Sequence, residues 1–402
     1  MKRLPELDDA LQNAAVALDR RLIIMARTGR VVAYSIHEEE VDRRRLFLTL
    51  THSDTWQLPR TGWERRWQRV ELPDVGPTVL HRLLDRDQHV VGHLLIPGGD
   101  EGSWAAEYWR EVTTQADHLG TLLTAWERAN LERLDRSHQL TARLIEGDAD
   151  QQQAARAELL DQGHLSHSEV YCAVAVGVPP AVAGPGSRDR AARAAELTVR
   201  FAHEASTANV VSGVLQEGLG VLVFPRPASA ERLTRILTGP EVVGVRAGIG
   251  PLTGLTDIRD SYARARLAWR ATSFAPRQHP IVLGWQEGGL DALLCRLPLE
   301  DFTVEDLPPR VQRLMQHGLP EEFLHTLQAY LDCGGDAART ARLLQIHRST
   351  FYYRLDRLRE ALDADLKDGL ARTELHTGLR TAQLAGLVPF FDTAGRPPDS
   401  AG

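Results

Sequence analysis

The sequence predicts a multidomain α+β chain: an N-terminal antiparallel sheet with helices, a linker helix, an α/β middle domain and an all-α C-terminal domain built on a helix-turn-helix. Three observations predict it. Short β-rich runs fill residues 21 to 97, strand and helix patterns alternate between residues 165 and 283, and DAARTARLLQIHRSTFYYRLDRLREAL at 336–362 has the spacing of two helices joined by a tight turn.

Composition sets the frame. With 402 residues, 43% of them hydrophobic and 25% charged, the chain has the make-up of a globular protein of two to four domains. No apolar run approaches the ~20 residues of a membrane-crossing helix, and MKRLPELDDALQNAA lacks the apolar core and cleavage site of a signal peptide. The expectation is a cytoplasmic protein with no membrane partner. Cys172, Cys295 and Cys333 are scattered, which fits a reducing compartment and packing roles and argues against disulfides or a clustered cysteine zinc site.

Residues 1–125 form the first expected domain. DDALQNAAVALD has helical spacing, RLIIMA, RVVAYSI, RWQRVEL and TVLHRLLDRDQHVVGHLLIP read as strands, and a closing helix starts near Trp104. Asp85 to Gln88 separate two apolar runs, a hairpin signal. The run Glu38 to Glu40 followed by Arg43 to Arg45 reads as a solvated helix face with opposite charges one turn apart. Six of the eight tryptophans (56, 63, 67, 104, 109 and 126) lie in this third of the chain, where core filling is the plain use of such large rings and a pocket or subunit interface the alternative. The layout resembles GAF and PAS sensory domains, which implies a small-molecule effector held in a mostly apolar pocket.

The closing helix continues to about Glu146. Leu119, Leu122, Trp126 and Ala129 keep a 3-4 spacing, but Leu131, Leu134, Leu140 and Leu144 fall out of strict register past Asn130. Residues 126–153 are therefore expected to be a linker and dimerisation helix ending in the polar GDADQQQ, either pairing with its copy or packing along its own domain.

The middle domain is expected over 154–290. EVYCAVAVGV, NVVSGVLQEGLGVLVFP and VVGVRAGIG supply strands between helical segments, giving a mixed sheet with helices on it. The segment GIGPLTGLTDIRDSYARARLAWRAT, Gly248 to Thr272, resembles a degenerate cyclase-type domain. Intact cyclases of this shape act at a Gly-Gly-acid-acid-Phe hairpin with metal held by carboxylates. Here the hairpin is Gln216-Glu217-Gly218-Leu219-Gly220, and the strand from Tyr171 to Val176 offers no carboxylate, so two-metal chemistry has no ligands. His164, His167 and Cys172 match no zinc spacing, and no P-loop, dinucleotide fingerprint or Gly-x-Ser-x-Gly elbow is present. The expectation is no catalytic residue, no metal and no cofactor.

The C-terminal domain is expected over 319–388, followed by a disordered tail at 389–402. Asp336 follows Gly334 and Gly335 and can cap a first helix whose Ala338, Ala341 and Leu344 form a packing face. Gln345, Ile346 and His347 make the turn. Phe351, Leu355, Leu358 and Leu362 then fall on one buried stripe, and Ser349, Tyr352, Tyr353 and Asp356 project away from it. Between Asp336 and Arg359 six arginines (339, 342, 348, 354, 357 and 359) face two acids, a local balance of +4 in a chain of net charge −7. A basic island in an acidic protein suits a polyanion, and arginine and tyrosine at the start of a helix can donate to phosphates and base edges. Arg339, His347, Arg348, Ser349, Thr350, Tyr352, Tyr353 and Arg357 are the candidate contacts to double-stranded DNA. The plain alternative is a surface hairpin with solvated arginines.

From Leu324 to Leu384 the chain resembles the DNA-binding domain of PucR/CdaR-type bacterial transcriptional regulators, through RTA-x-x-L starting at Arg339 (as the scaffold helix), HRST-x-x-YRL at His347 to Leu355 and ELHTGLR at Glu374 to Arg380. Tyr352 beside Tyr353 departs from many relatives, so the DNA sequence read need not be theirs. The resemblance implies an effector-responsive transcriptional regulator that acts on promoter DNA as a homodimer or higher even oligomer. Two other classes compete: a metabolite-processing enzyme with an accessory DNA-binding tail, for which the first 300 residues would need a convergent set of acids, bases or metal ligands, and a protein-binding helical module.

Overall fold

The computed structural model describes residues 5–27, 29, 31–35, 63, 65–73, 75–98, 104–205 and 209–391, and the chain divides into two compact units, 1–136 and 137–402. Trp56, the run Glu38 to Glu40 with Arg43 to Arg45, and the tail beyond residue 391 lie outside the described residues.

The first unit is the antiparallel sheet with helices that the sequence predicts. Helix α1 (Pro5–Leu18) carries Leu7, Leu11, Ala14 and Leu18 on one face, all buried. Strands β1 (Ile23–Ala26), β2 (Val31–Tyr34), β3 (Trp67–Leu72), β4 (Gly76–Leu84) and β5 (Val90–Pro97) pair antiparallel in the order β2-β1-β5-β4-β3. Asp85 makes the β4–β5 hairpin: its Oδ1 accepts the backbone N–H groups of Asp87 at 2.9 Å and His89 at 2.8 Å, while Gln88 takes a left-handed φ of +63°. Trp67 and Trp109 stack at 4.1 Å between centroids and Trp104 leans on Trp109 at 4.8 Å. Trp63 sits between the guanidinium of Arg82, 4.3 Å from its ring, and the imidazole of His93.

Helix α2 (Ala106–Glu146) explains the broken leucine register. Val112, Ala116, Leu119, Leu123 and Trp126 pack in the core of the first unit, and Leu140 and Leu144 pack in the core of the second. From 127 to 136 no residue is buried, and Leu131 and Leu134 are 61% and 42% exposed. The drift past Asn130 marks the stretch where the helix has left one core and not yet entered the next.

The second unit opens with α3 (Ala149–Asp161), whose Asp148 and Gln151 cap each other's backbone N–H groups. The sheet that follows contains β6 (Tyr171–Gly177), β7 (Val211–Val214), β8 (Gly220–Phe224), β9 (Arg246–Thr253) and β10 (Val282–Gly284) in the order β10-β9-β6-β8-β7. Only β9 and β10 pair parallel, so the sheet is mixed, and β6 at its centre is buried at every residue. Helices α4 (Ser187–Ala205), α5 (Ala230–Leu237), α6 (Ile258–Phe274) and the short α7 (Gly289–Leu294) complete the α/β region. Gly248 on β9 lets α6 come close, because a Cβ there would run into the Ala265 carbonyl.

The rest is helical: α8 (Pro309–Gln316), α9 (Glu321–Asp332), α10 (Ala337–Leu343), α11 (Arg348–Leu362) and α12 (Gly369–Leu384). Their common core is centred on Phe351, which is wholly buried, and reaches from Leu307 to Phe391, so that α8 belongs to it.

Candidate nucleic-acid interface

The two ends of α10 are fixed by backbone chemistry. Helix α9 closes on Gly334 and Gly335, at φ +67° and +86°, with Gly334 N–H donating to Leu331 O and Gly335 N–H to Tyr330 O, each at 2.9 Å. Asp336 then caps α10 as its position predicts, accepting the N–H groups of Arg339 and Ala338 at 2.9 Å; these bonds, that of Arg339 above all, hold its carboxyl below the usual carboxylate range. Helix α10 ends in the same paired-bond turn, Gln345 N–H to Arg342 O at 3.2 Å and Ile346 N–H to Ala341 O at 3.1 Å, but with Gln345 rather than glycine at φ +53°. The turn begins one residue earlier than the spacing suggests, since Leu344 is already the cap of α10. His347 caps α11: its Nδ1 accepts the Ser349 N–H at 3.3 Å and lies 2.8 Å from the Ser349 hydroxyl.

Helix α11 has the predicted two faces. Phe351, Leu355, Leu358 and Leu362 are buried, while Arg348, Ser349, Tyr352 and Tyr353 are exposed, the two tyrosines by 50% and 62%. Tyr353 meets Phe323 edge-on at 6.4 Å and Tyr352 meets Phe351 at 5.5 Å, so both rings are propped while their outer edges face water. Thr350 is half-buried beside them.

The six arginines divide into two groups. Arg354 turns inward, donating to Glu322 at 2.6 Å and to Thr326 Oγ1 at 3.2 Å, and ties α11 to α9. Arg357 pairs with Glu360 at 2.9 Å and Arg359 with Asp356 at 3.0 Å along the helix. Among the described residues no ion pair holds Arg339, Arg342 or Arg348, and all three are exposed. Arg342, which is not among the contacts expected from the sequence, thus shares the outer surface of α10 with Arg339. Exposed guanidinium groups, propped phenol edges and the N-terminal end of α11 form a donor surface of the kind that meets phosphate and base edges.

At the Gln216 to Gly220 hairpin the single carboxylate is already engaged. The Tyr262 hydroxyl donates to Glu217 Oε1 at 2.8 Å and Arg266 pairs with Oε2 at 3.0 Å. Burial, then the adjacent carboxylate, push the Tyr262 hydroxyl far above its ordinary range. His164 is buried beside Gln162, and the Cys172 thiol donates to Gly250 O at 3.3 Å. Asp85, Asp87 and His89 bring three ligand-type groups together on the β4–β5 hairpin, where Asp85 serves to close the turn.

Residues 323–381 match the PucR C-terminal helix-turn-helix domain, and residues 146–271 match the GGDEF-like domain. The chain therefore carries a PucR-type helix-turn-helix segment preceded by a GGDEF-like one. The purine catabolism regulatory protein of Bacillus subtilis (strain 168) is 29% identical over 136 residues, 32% of this chain and 24% of that protein, so the match spans about a quarter of the curated relative. Among solved structures, the regulator of polyketide synthase expression from Bifidobacterium adolescentis aligns over 62% of this chain and 98% of its own, at 18% identity and a TM-score of 0.28. PelD 158-CT from Pseudomonas aeruginosa PAO1 aligns over 64% of this chain and 85% of its own, at 15% identity and a TM-score of 0.18.

Proposed function

We propose that the chain is a sequence-specific transcriptional regulator that binds operator DNA through α10 and α11. The observation that carries this reading is the outer surface of the helix pair: Arg339, Arg342, Arg348, Ser349, Tyr352 and Tyr353 stand exposed over a stripe whose members are all buried. Arg348, Ser349, Tyr352 and Tyr353 take the base-reading role, Arg339 and Arg342 meet phosphate, His347 sets the start of α11, and Thr350 and Arg357 lie at the edge of the contact.

The GGDEF-like domain acts as a scaffold. Glu217 is committed to Tyr262 and Arg266, and β6 offers no second carboxylate, which supports a protein without catalytic activity. The working form is a homodimer, because one helix-turn-helix has a small footprint and α2 presents Leu131 and Leu134 exposed on a stretch with no buried residue. The N-terminal sheet domain takes a small-molecule effector and the protein works in the cytoplasm at the nucleoid, both in keeping with a DNA-bound regulator.

The test is binding of the full chain to duplexes selected from random sequence, followed from about 50 to 200 mM salt. Affinity should fall with salt by about 0.9 log units per log unit for each phosphate neutralised, and Arg339→Ala should lower that slope by about one contact. Binding that is absent, or indifferent to salt, overturns the reading.

A further inference from the structure

The motif ELHTGLR at Glu374 to Arg380 is part of the helix-turn-helix signature, yet its charges face away from the DNA-reading surface. Glu374 pairs with Arg310 of α8 and His376 with Asp332 of α9, both inside the helical domain. Arg380 leaves that domain. Its Nε donates to Asp291 Oδ1 at 2.7 Å and its Nη2 to Oδ2, so the guanidinium grips both oxygens of a carboxylate on α7, which follows the GGDEF-like segment. His279, from the loop before β10, stands 2.7 Å from the same Oδ2. Asp291 is 5% exposed, and the Arg380 guanidinium is covered by the Phe390 ring at 4.9 Å.

A buried cation holds the chain where α7 ends. Arg270 of α6, 8% exposed, donates to the carbonyls of Cys295 at 2.8 Å and Leu297 at 2.9 Å and pairs with Glu300 at 2.8 Å. Helix α7 is thus fixed to the GGDEF-like region by Arg270 and joined to the DNA-binding domain by Arg380. The apolar part of the junction is small: Leu384, with Ala385 and Phe390 beside it, meets Ala271, Leu294 and Leu299. A junction held for stability alone would gain more from apolar area, since a buried ion pair adds little net stability against hydrophobic residues of equal volume. What a two-oxygen grip supplies is orientation.

We infer that Asp291 and Arg380 form a latch that seats the helix-turn-helix on the GGDEF-like domain at one angle, making Arg380 a positioning residue for DNA binding. The inference rests on the function proposed above. In a dimer, a fixed seat gives the two recognition helices one separation, so only half-sites at one spacing are met together. With the latch open, the connection through residues 301–308 lets each domain turn, and other spacings become acceptable.

The test uses the full chain as wild type, Arg380→Ala and Asp291→Asn. Amide exchange in Arg380→Ala should rise by about tenfold or more at residues 289–300 and 379–391 while residues 337–362 keep their protection. Unchanged exchange at the junction overturns the latch. If Arg380→Ala instead exposes 337–362 as well, Asp291→Asn decides, because it removes the charge from outside the helical domain at almost constant volume: release of 379–391 alone supports the latch, and full protection overturns it. Duplexes selected by the wild type are then re-spaced between half-sites. The wild type should prefer one spacing by about tenfold, and the variant should lose that preference with its affinity for a single half-site unchanged. A variant that keeps the preference overturns the positioning role. If the wild type selects no DNA, the proposed function falls and the exchange result still decides the latch.

Discussion

His81 in the N-terminal sheet and Asp291 at the junction are both almost free of solvent, but they are buried in different company. Among the described residues, His81 donates from Nδ1 to the Arg82 carbonyl and has no partner at Nε2, and His93 has none at Nδ1. Asp291 has Arg380 and His279 on its two oxygens. Burial therefore decides the histidines, dropping each pKa to about 4, with Arg82 adding to the effect on His93. At Asp291 burial pulls the other way and is outweighed by the hydrogen bonds of His279 and Arg380, which bring its pKa to about 2. A buried polar group with a missing partner responds to mild acid, whereas one whose partners are complete resists it.

The largest effect expected tests whether the regions are independent. Phe351→Ala leaves a cavity at the centre of the helical core and should cost about 3 to 5 kcal/mol. Thermal unfolding followed by helical circular dichroism should show it, with the fluorescence transition of the Trp67, Trp104 and Trp109 cluster unmoved. A cluster that melts together with the helices would mean that the contrast is not between separate bodies.

Acid comes next. A histidine with a folded pKa of about 4 and an unfolded one near 6.5 contributes no pH dependence above about 6.5. Below that the unfolded state binds the proton first, so stability falls until about pH 4, by about 3 kcal/mol for a histidine as buried as His81. Asp291 contributes stability that is present above about pH 4 and lost as pH falls through about 2, about 2 kcal/mol in all. Tryptophan fluorescence should therefore report weakening of the sheet between pH 6.5 and 4 while the junction amides stay protected. Replacing His81 by Leu should flatten much of that slope. Junction opening that begins near pH 6 would reverse the comparison.

Two smaller changes probe the ends of α10. Asp336→Ala removes two accepted N–H bonds and should cost about 1 kcal/mol in a denaturant titration. Gln345→Gly relieves a left-handed residue that carries a side chain and should stabilise by up to about 1 kcal/mol; a loss of stability would show that the glutamine side chain is itself needed.

What could be read from the sequence was local. The cap at Asp336, the turn at Gln345 to His347, the stripe from Phe351 to Leu362 and the hairpin at Asp85 each depend on contacts within a few residues, so periodicity and turn chemistry expose them. Arg354 left a weaker signal: three residues beyond Phe351, it sits at the border of the buried stripe, where a long side chain can reach Glu322 on the neighbouring helix. The Asp291–Arg380 contact joins positions 89 residues apart and has no spacing to betray it. The broken leucine register of α2 was visible, but its cause is that one helix serves two cores, which no heptad pattern encodes.

The grip on Glu217 limits what the hairpin can become. A new carboxylate on β6 would still face a glutamate held by Tyr262 and Arg266, with a tyrosine too deeply buried to give up its proton. Any drift toward metal-dependent chemistry at this hairpin needs several substitutions together, so the bonds around Glu217 act as a ratchet against it.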